Sequence, residues 1–85
     1  MSKKLFVGSL PWAVNDATLL STFQAHGNVL SAKVIVDRQT GRSKGFGFVE
    51  MSDDSEADKA IQALHKSEMK GRSIIVAEAK PKEVV

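Results

Sequence analysis

The sequence predicts an α+β domain in which two helices pack on one face of a four-stranded antiparallel sheet, in the chain order βαββαβ. Three observations carry that expectation. Four segments alternate apolar and polar residues with the period of a strand, and two segments between them repeat apolar residues at helical spacing. The chain is 85 residues long and 42% hydrophobic, which suits one small domain around one core. It has no cysteine, so that core must hold the fold without disulfides or thiolate-bound metal. Each helix carries a single apolar stripe, so the economical packing sets both on the same side of the sheet. The other side then stays open, as antiparallel sheets permit.

The first strand reads from Lys4 to Leu10, with Leu5 and Val7 toward the core and Lys4, Phe6 and Gly8 opposite. Pro11 ends it, because proline cannot donate to a ladder. Trp12 follows in the turn, where packing over the end of the first helix is favoured over stacking on a base. Asn15 is a suitable N-cap for a helix from Asp16 to His26, whose stripe is Leu19, Leu20 and Phe23 and whose stop is Gly27. His26 has no acid or nucleophile placed to work with it.

Val29 to Asp37 is a β-branched second strand in which Ala32, Val34 and Val36 alternate with Lys33, Ile35 and Asp37. Arg38 to Ser43 is polar, with Gly41 suited to a turn, and makes a mobile basic loop. Lys44 to Met51 returns as the third strand. Asp53 starts the second helix and Glu56 completes a capping box, while Ala57, Ala60, Ile61 and Leu64 form its apolar stripe. Those acids therefore have structural work, which argues against a paired-carboxylate active site. Gly71 turns the chain into a last strand, Ser73 to Ala79, with Ile74 and Val76 inward and Ile75, Ala77 and Ala79 outward. The domain is expected to span residues 1–82, with residues 83–85 as a frayed tail.

The third strand is the unusual one. Lys44, Phe46, Phe48 and Glu50 share one face, and Gly45, Gly47, Val49 and Met51 share the other. Burying the first set would bury a lysine and a glutamate without partners, which is costly. With Val49 and Met51 inward, Phe46 and Phe48 point at water instead. If the first and third strands are neighbours in the middle of the sheet, Phe6 joins them. Exposed rings, nearby cations and glycines that allow close approach are the makeup of a surface for stacked bases and phosphates.

Composition adds limits more than direction. The formal net charge is only +2, but Arg38, Arg42 and Lys44 cluster at one loop while Asp53, Asp54, Glu56 and Asp58 cluster in the second helix. That separation gives a basic face on a nearly neutral protein. No apolar run approaches membrane-spanning length. Lys3-Lys4 before Leu5–Val14 has a superficial likeness to a signal peptide, but Gly8 and Pro11 interrupt it and cleavage would remove a needed strand, so the expected location is cytoplasmic. Gly41-Arg42-Ser43-Lys44 lacks phosphate-loop spacing, and Glu50 stands where a dinucleotide fingerprint needs its third glycine. No metal-ligand cluster and no nucleophile–base pair can be assembled, so neither an enzyme nor a cofactor is expected.

The octamer Lys44-Gly45-Phe46-Gly47-Phe48-Val49-Glu50-Met51 resembles the ribonucleoprotein motif of the RNA-recognition-motif family, matching seven of its eight positions. Met51 is the departure, standing where an aromatic is preferred. Leu5 to Leu10 is similar to the family's second motif, with Ser9 in place of Asn. The resemblance covers Lys3 to about Pro81 and implies a ferredoxin-like βαββαβ sandwich. It further implies that Phe6, Phe46 and Phe48 stack on bases or sugars and that Lys44 reaches a phosphate. Lys4, Lys33, Arg38, Arg42 and Lys80 complete the expected RNA-binding set, with Lys3 and Lys82 as additional phosphate contacts. Ala77 stands where many members have Asn, and His65-Lys66 replaces the usual Asn-Gly turn. In size the chain resembles small stand-alone members of bacteria, and also the plant glycine-rich type without its glycine tail. The expected partner is single-stranded RNA, bound by a monomer with modest sequence preference. Single-stranded DNA and a protein-interaction role for the same fold stay open as alternatives.

Overall fold

Leu5 and Val7 are fully buried while Phe6 between them is only partly so, which sets the sides of the sheet from its first strand. A computed structural model describes residues 2–79. Lys80, Lys82 and the tail 83–85 lie outside the described residues. The chain runs β1 (Lys3–Gly8), α1 (Asp16–Gln24), β2 (Val29–Val36), β3 (Ser43–Met51), α2 (Asp54–Leu64), β4 (Glu68–Met69), β5 (Arg72–Ser73) and β6 (Ile75–Glu78). The main sheet is antiparallel in the order β2-β3-β1-β6, so β1 and β3 are its central strands. With the two helices on one side, this is the α+β arrangement the pattern predicted and the ferredoxin-like sandwich the resemblance implied.

The core lies between the sheet and the helices. Leu5, Val7, Val34, Val49, Met51 and Val76 come from strands, and Leu19, Phe23, Ala57, Ala60 and Leu64 from helices. Met51 is fully buried there, so its flexible thioether fills the place of an aromatic. Asn15 caps α1 by accepting from the Thr18 N–H at 2.9 Å. One residue on, Asp16 Oδ1 accepts from the Val34 N–H at 2.7 Å, tying the start of α1 to the open edge of β2.

Several local expectations are corrected. Asp53 does cap α2, accepting from the Ser55 N–H at 3.2 Å, but Glu56 does not close a capping box. Its Oε1 accepts from the Asn28 N–H at 3.0 Å and so binds α2 to the segment after α1. Val36 is half-exposed because the β2–β3 register shifts between Val34 and Val36, which breaks the alternation. Trp12 does not pack over α1; it is 76% exposed. The Val14 N–H donates to the Pro11 carbonyl at 3.1 Å, a turn that buries Val14 and leaves Trp12 at its outer corner.

The final segment is not one strand. β4 and β5 form a small hairpin whose turn residues, Lys70 and Gly71, both have positive φ (+49° and +86°). Two left-handed residues in succession are what a tight hairpin turn requires. The chain then passes buried Ile74 and enters β6, where the Val76 N–H donates to His65 Nδ1 at 3.1 Å. His65 thereby satisfies a backbone donor on an edge strand.

Candidate nucleic-acid interface

Phe6 and Phe48 are direct cross-strand partners, because Phe6 on β1 is in register with Phe48 on β3. Phe46 completes the group. The ring centroids of Phe6 and Phe46 lie 5.8 Å apart and nearly stacked, at 30°. Phe48 meets Phe6 at 5.9 Å and Phe46 at 6.2 Å, edge-on to each. These are favourable aromatic separations, so the three rings orient one another. They lie on the face that the helices do not cover, and each remains partly open to solvent.

Two glycines let the rings sit as they do. Phe6 lies down along its own strand over Gly8, where an added Cβ would stand 2.9 Å from the ring. Gly45 has φ +86°, a conformation that residues with a Cβ rarely adopt, and its carbonyl accepts from the Leu10 N–H at 2.8 Å. Strict alternation therefore runs from Phe46 to Met51. Lys44 stands before the kink and is exposed.

Cations surround the rings unevenly. Lys4 Nζ is 6.0 Å from the Phe48 centroid, and Lys33 on β2 is in register with Phe48. Arg38 and Arg42 are exposed on the β2–β3 loop. That loop is a bonded turn: Asp37 Oδ1 accepts from the Gln39 N–H at 2.8 Å, and the Asp37 N–H donates to the Arg42 carbonyl at 2.8 Å. Lys3 is turned away from this surface. Its Nζ lies 2.8 Å from Asp58 Oδ1 on α2 and 3.8 Å from Glu78 Oε1, and chiefly the hydrogen bond it donates to Asp58 holds the ammonium above its ordinary pKa. Lys80 lies outside the described residues.

Sequence reasoning left two residues at or beside this surface out of the binding set. Glu50, opposite Lys4 in register, accepts from the Ser2 hydroxyl at 2.8 Å and places a carboxylate beside the rings. The alternation of the octamer already put it there. Trp12 is the other, with the Arg42 guanidinium 6.0 Å from its ring centroid. On β6, Ala77 is in register with Phe6, and Ile75 is 44% exposed. Neither offers a polar side chain to a base edge.

Residues 5–75 match the family model described as the RNA recognition motif. The mitochondrial glycine-rich RNA-binding protein 2 of Arabidopsis thaliana is 51% identical over 76 residues, covering 89% of this chain and 48% of that protein. The chloroplastic 28 kDa ribonucleoprotein of Spinacia oleracea is 48% identical over 83 residues, covering 95% of this chain and 36% of that protein. The chain thus spans about half or less of these relatives' length. Among solved structures, RNA binding protein PG1 superposes with a TM-score of 0.90 at 45% identity, covering 96% of this chain and 99% of that one. The Rna15 RRM with bound RNA (GU) superposes with a TM-score of 0.83 at 26% identity, covering 95% and 86%.

Proposed function

The chain belongs to the RNA recognition motif family, and from that premise we propose that it binds single-stranded RNA across the open face of its sheet. The observation that carries the reading is the cluster of Phe6, Phe46 and Phe48, three rings within 6.2 Å of one another on the uncovered side. Bases stack on such rings whatever their identity, because every base has a π-face. Lys4, Lys33, Lys44, Arg38 and Arg42 supply the charge for the phosphates, with Lys80 the further candidate from the sequence. The domain acts as a monomer and as a binding module, not an enzyme.

The phosphate contacts have a measurable signature. Three to five of those cations engaged at once, at roughly −0.7 per contact for single strands, give a log–log salt slope of about −2 to −4. Titrating labelled RNA by fluorescence anisotropy at several salt concentrations checks this. A flat salt dependence would remove the cations from the reading. Adding unlabelled DNA of the same sequence as competitor then separates RNA from DNA, since stacking and phosphate contacts are common to both.

Sequence preference should be mild. Ala77 and Ile75 give no side-chain hydrogen bonds, so base edges must be read by Glu50 and by main-chain groups. We expect a site of about two to four nucleotides and affinity in the micromolar range, worth roughly 8 kcal/mol. Selection from random RNA pools tests it, and recovery of one long consensus bound at nanomolar affinity would contradict it.

Among the described residues no helix is long and apolar enough to cross a membrane. The Arabidopsis and Spinacia relatives are named as mitochondrial and chloroplastic.

A further inference from the structure

We propose that Trp12 and Arg42 form a base-binding slot beyond the edge of the sheet, taking one nucleobase of a strand already seated on the three phenylalanines. The inference rests on the RNA-binding reading and extends it to a site that neither strand motif contains.

Trp12 is the only tryptophan in the chain and is 76% exposed, an unusual position for the largest apolar side chain. Its loop is nevertheless held: the Pro11–Val14 turn fixes its corner, and the Leu10 N–H donates to Gly45 on β3. A rigid, solvent-facing indole is a ready stacking surface. Facing it from the β2–β3 loop is Arg42, whose Cζ lies 6.0 Å from the indole centroid. Beside Trp12, between the start of α1 and the edge of β2, is a cleft of about 510 Å³ whose lining includes Trp12, Asp16, Ala17, Lys33, Val36 and Gly41, with Arg42 outside it across the indole. That volume is within the usual range for a small-ligand site.

The dimensions fit a flat ring. Stacked bases are separated by about 3.4 Å, so a base held between indole and guanidinium needs about 7 Å. Arg42 Cζ, at 6.0 Å from the indole centroid, stands within about 1 Å of that spacing. Half-exposed Val36 gives the cleft an apolar side. The carboxylate that also borders it, Asp16, is already engaged with the Val34 N–H.

Continuity with the ring face favours a nucleotide over a protein side chain as the occupant. Lys33 both lines the cleft and stands in register with Phe48. Ser43, also in the lining, is three residues before Phe46 on the same strand. A strand leaving the rings toward β2 thus meets Lys33 and then the slot. Arg38, exposed on the same loop, would hold its phosphates in passing.

Because Trp12 is the sole tryptophan and the chain has no tyrosine, its fluorescence reports on the slot directly. The experiment titrates the protein with mixed-sequence pools of RNA trimers and octamers, following Trp12 emission and, separately, anisotropy of end-labelled RNA. Octamers are expected to quench Trp12 as they bind, and trimers to bind the rings with little quenching. Trp12→Ala should weaken octamer binding by about 5- to 150-fold, the loss of one stacked base, leave trimer binding unchanged, and melt near wild type. Arg42→Gln should reduce the quenching at saturation. If octamers bind by anisotropy while Trp12 emission stays constant and Trp12→Ala binds them as wild type does, the slot is overturned and the exposed indole is left for a protein partner. If octamers do not bind at all, the RNA-binding reading itself fails, and the slot with it.

Discussion

Replacing Phe23 by Ala should cost about 3–5 kcal/mol, a large part of the roughly 5–15 kcal/mol that holds a small domain folded. Phe23 is fully buried and is the largest of the fully buried side chains, set on α1 against the sheet. Its removal leaves a cavity between two layers that are held apart by their other contacts. α1 is only nine residues long and has just two fully buried side chains, Leu19 and Phe23, so it has little else to fall back on. For a domain of this size the loss should lower the melting temperature by about 12 °C or more. Urea denaturation of the variant beside wild type measures it. A change under about 1 kcal/mol would mean that the stripe on α1 had been assigned to the wrong face.

The two periods in the sequence were enough to place the layers, because burial enforces them. Leu5 and Val7, Val49 and Met51, and Ile74 and Val76 are buried two positions apart, so a register error would have exposed all of them. The ring face was legible for the same reason, as the complement of that pattern. What escaped was set by backbone geometry at single residues. The hairpin of β4 and β5 depends on Lys70 and Gly71 both adopting positive φ, and lysine in the first position hides the signal that asparagine would have given. Ser9 at φ +57° and Lys66 at φ +66° tell the same story. Both stand where the resembled family has Asn or Gly, residues that reach this region at lower cost. Trp12 was misplaced because a turn bonded from Pro11 to Val14 decides its direction, and alternation has nothing to say within a turn. Glu56 was given to its own helix when its partner, Asn28, is remote in sequence. Local capping rules cannot weigh such a contact.

Phe46 and Phe48 give the test in which fold and function separate. Changing both to Ala should remove two stacking platforms, each worth about 1–3 kcal/mol per base. Against roughly 8 kcal/mol for micromolar binding, a loss of about 2–6 kcal/mol takes the complex beyond easy detection. Stability should fall much less than for Phe23→Ala. The rings are partly open to solvent on the uncovered face, so truncation leaves no core cavity, and what is lost is their contact with each other and with Phe6. Such aromatic pairs are worth about 0.5–1.5 kcal/mol each when fully formed. Partial exposure places these toward the lower end. Backbone pairing of β3 with β1 and β2 does not depend on the side chains and should persist. Melting temperature and RNA affinity, measured side by side for the double variant, Phe23→Ala and wild type, distinguish the accounts. A double variant that folds but no longer binds, beside a Phe23→Ala that is strongly destabilised, supports stacking on the open face. A double variant that unfolds would make the rings core residues. One that stays folded and binds normally would place the RNA elsewhere on the domain.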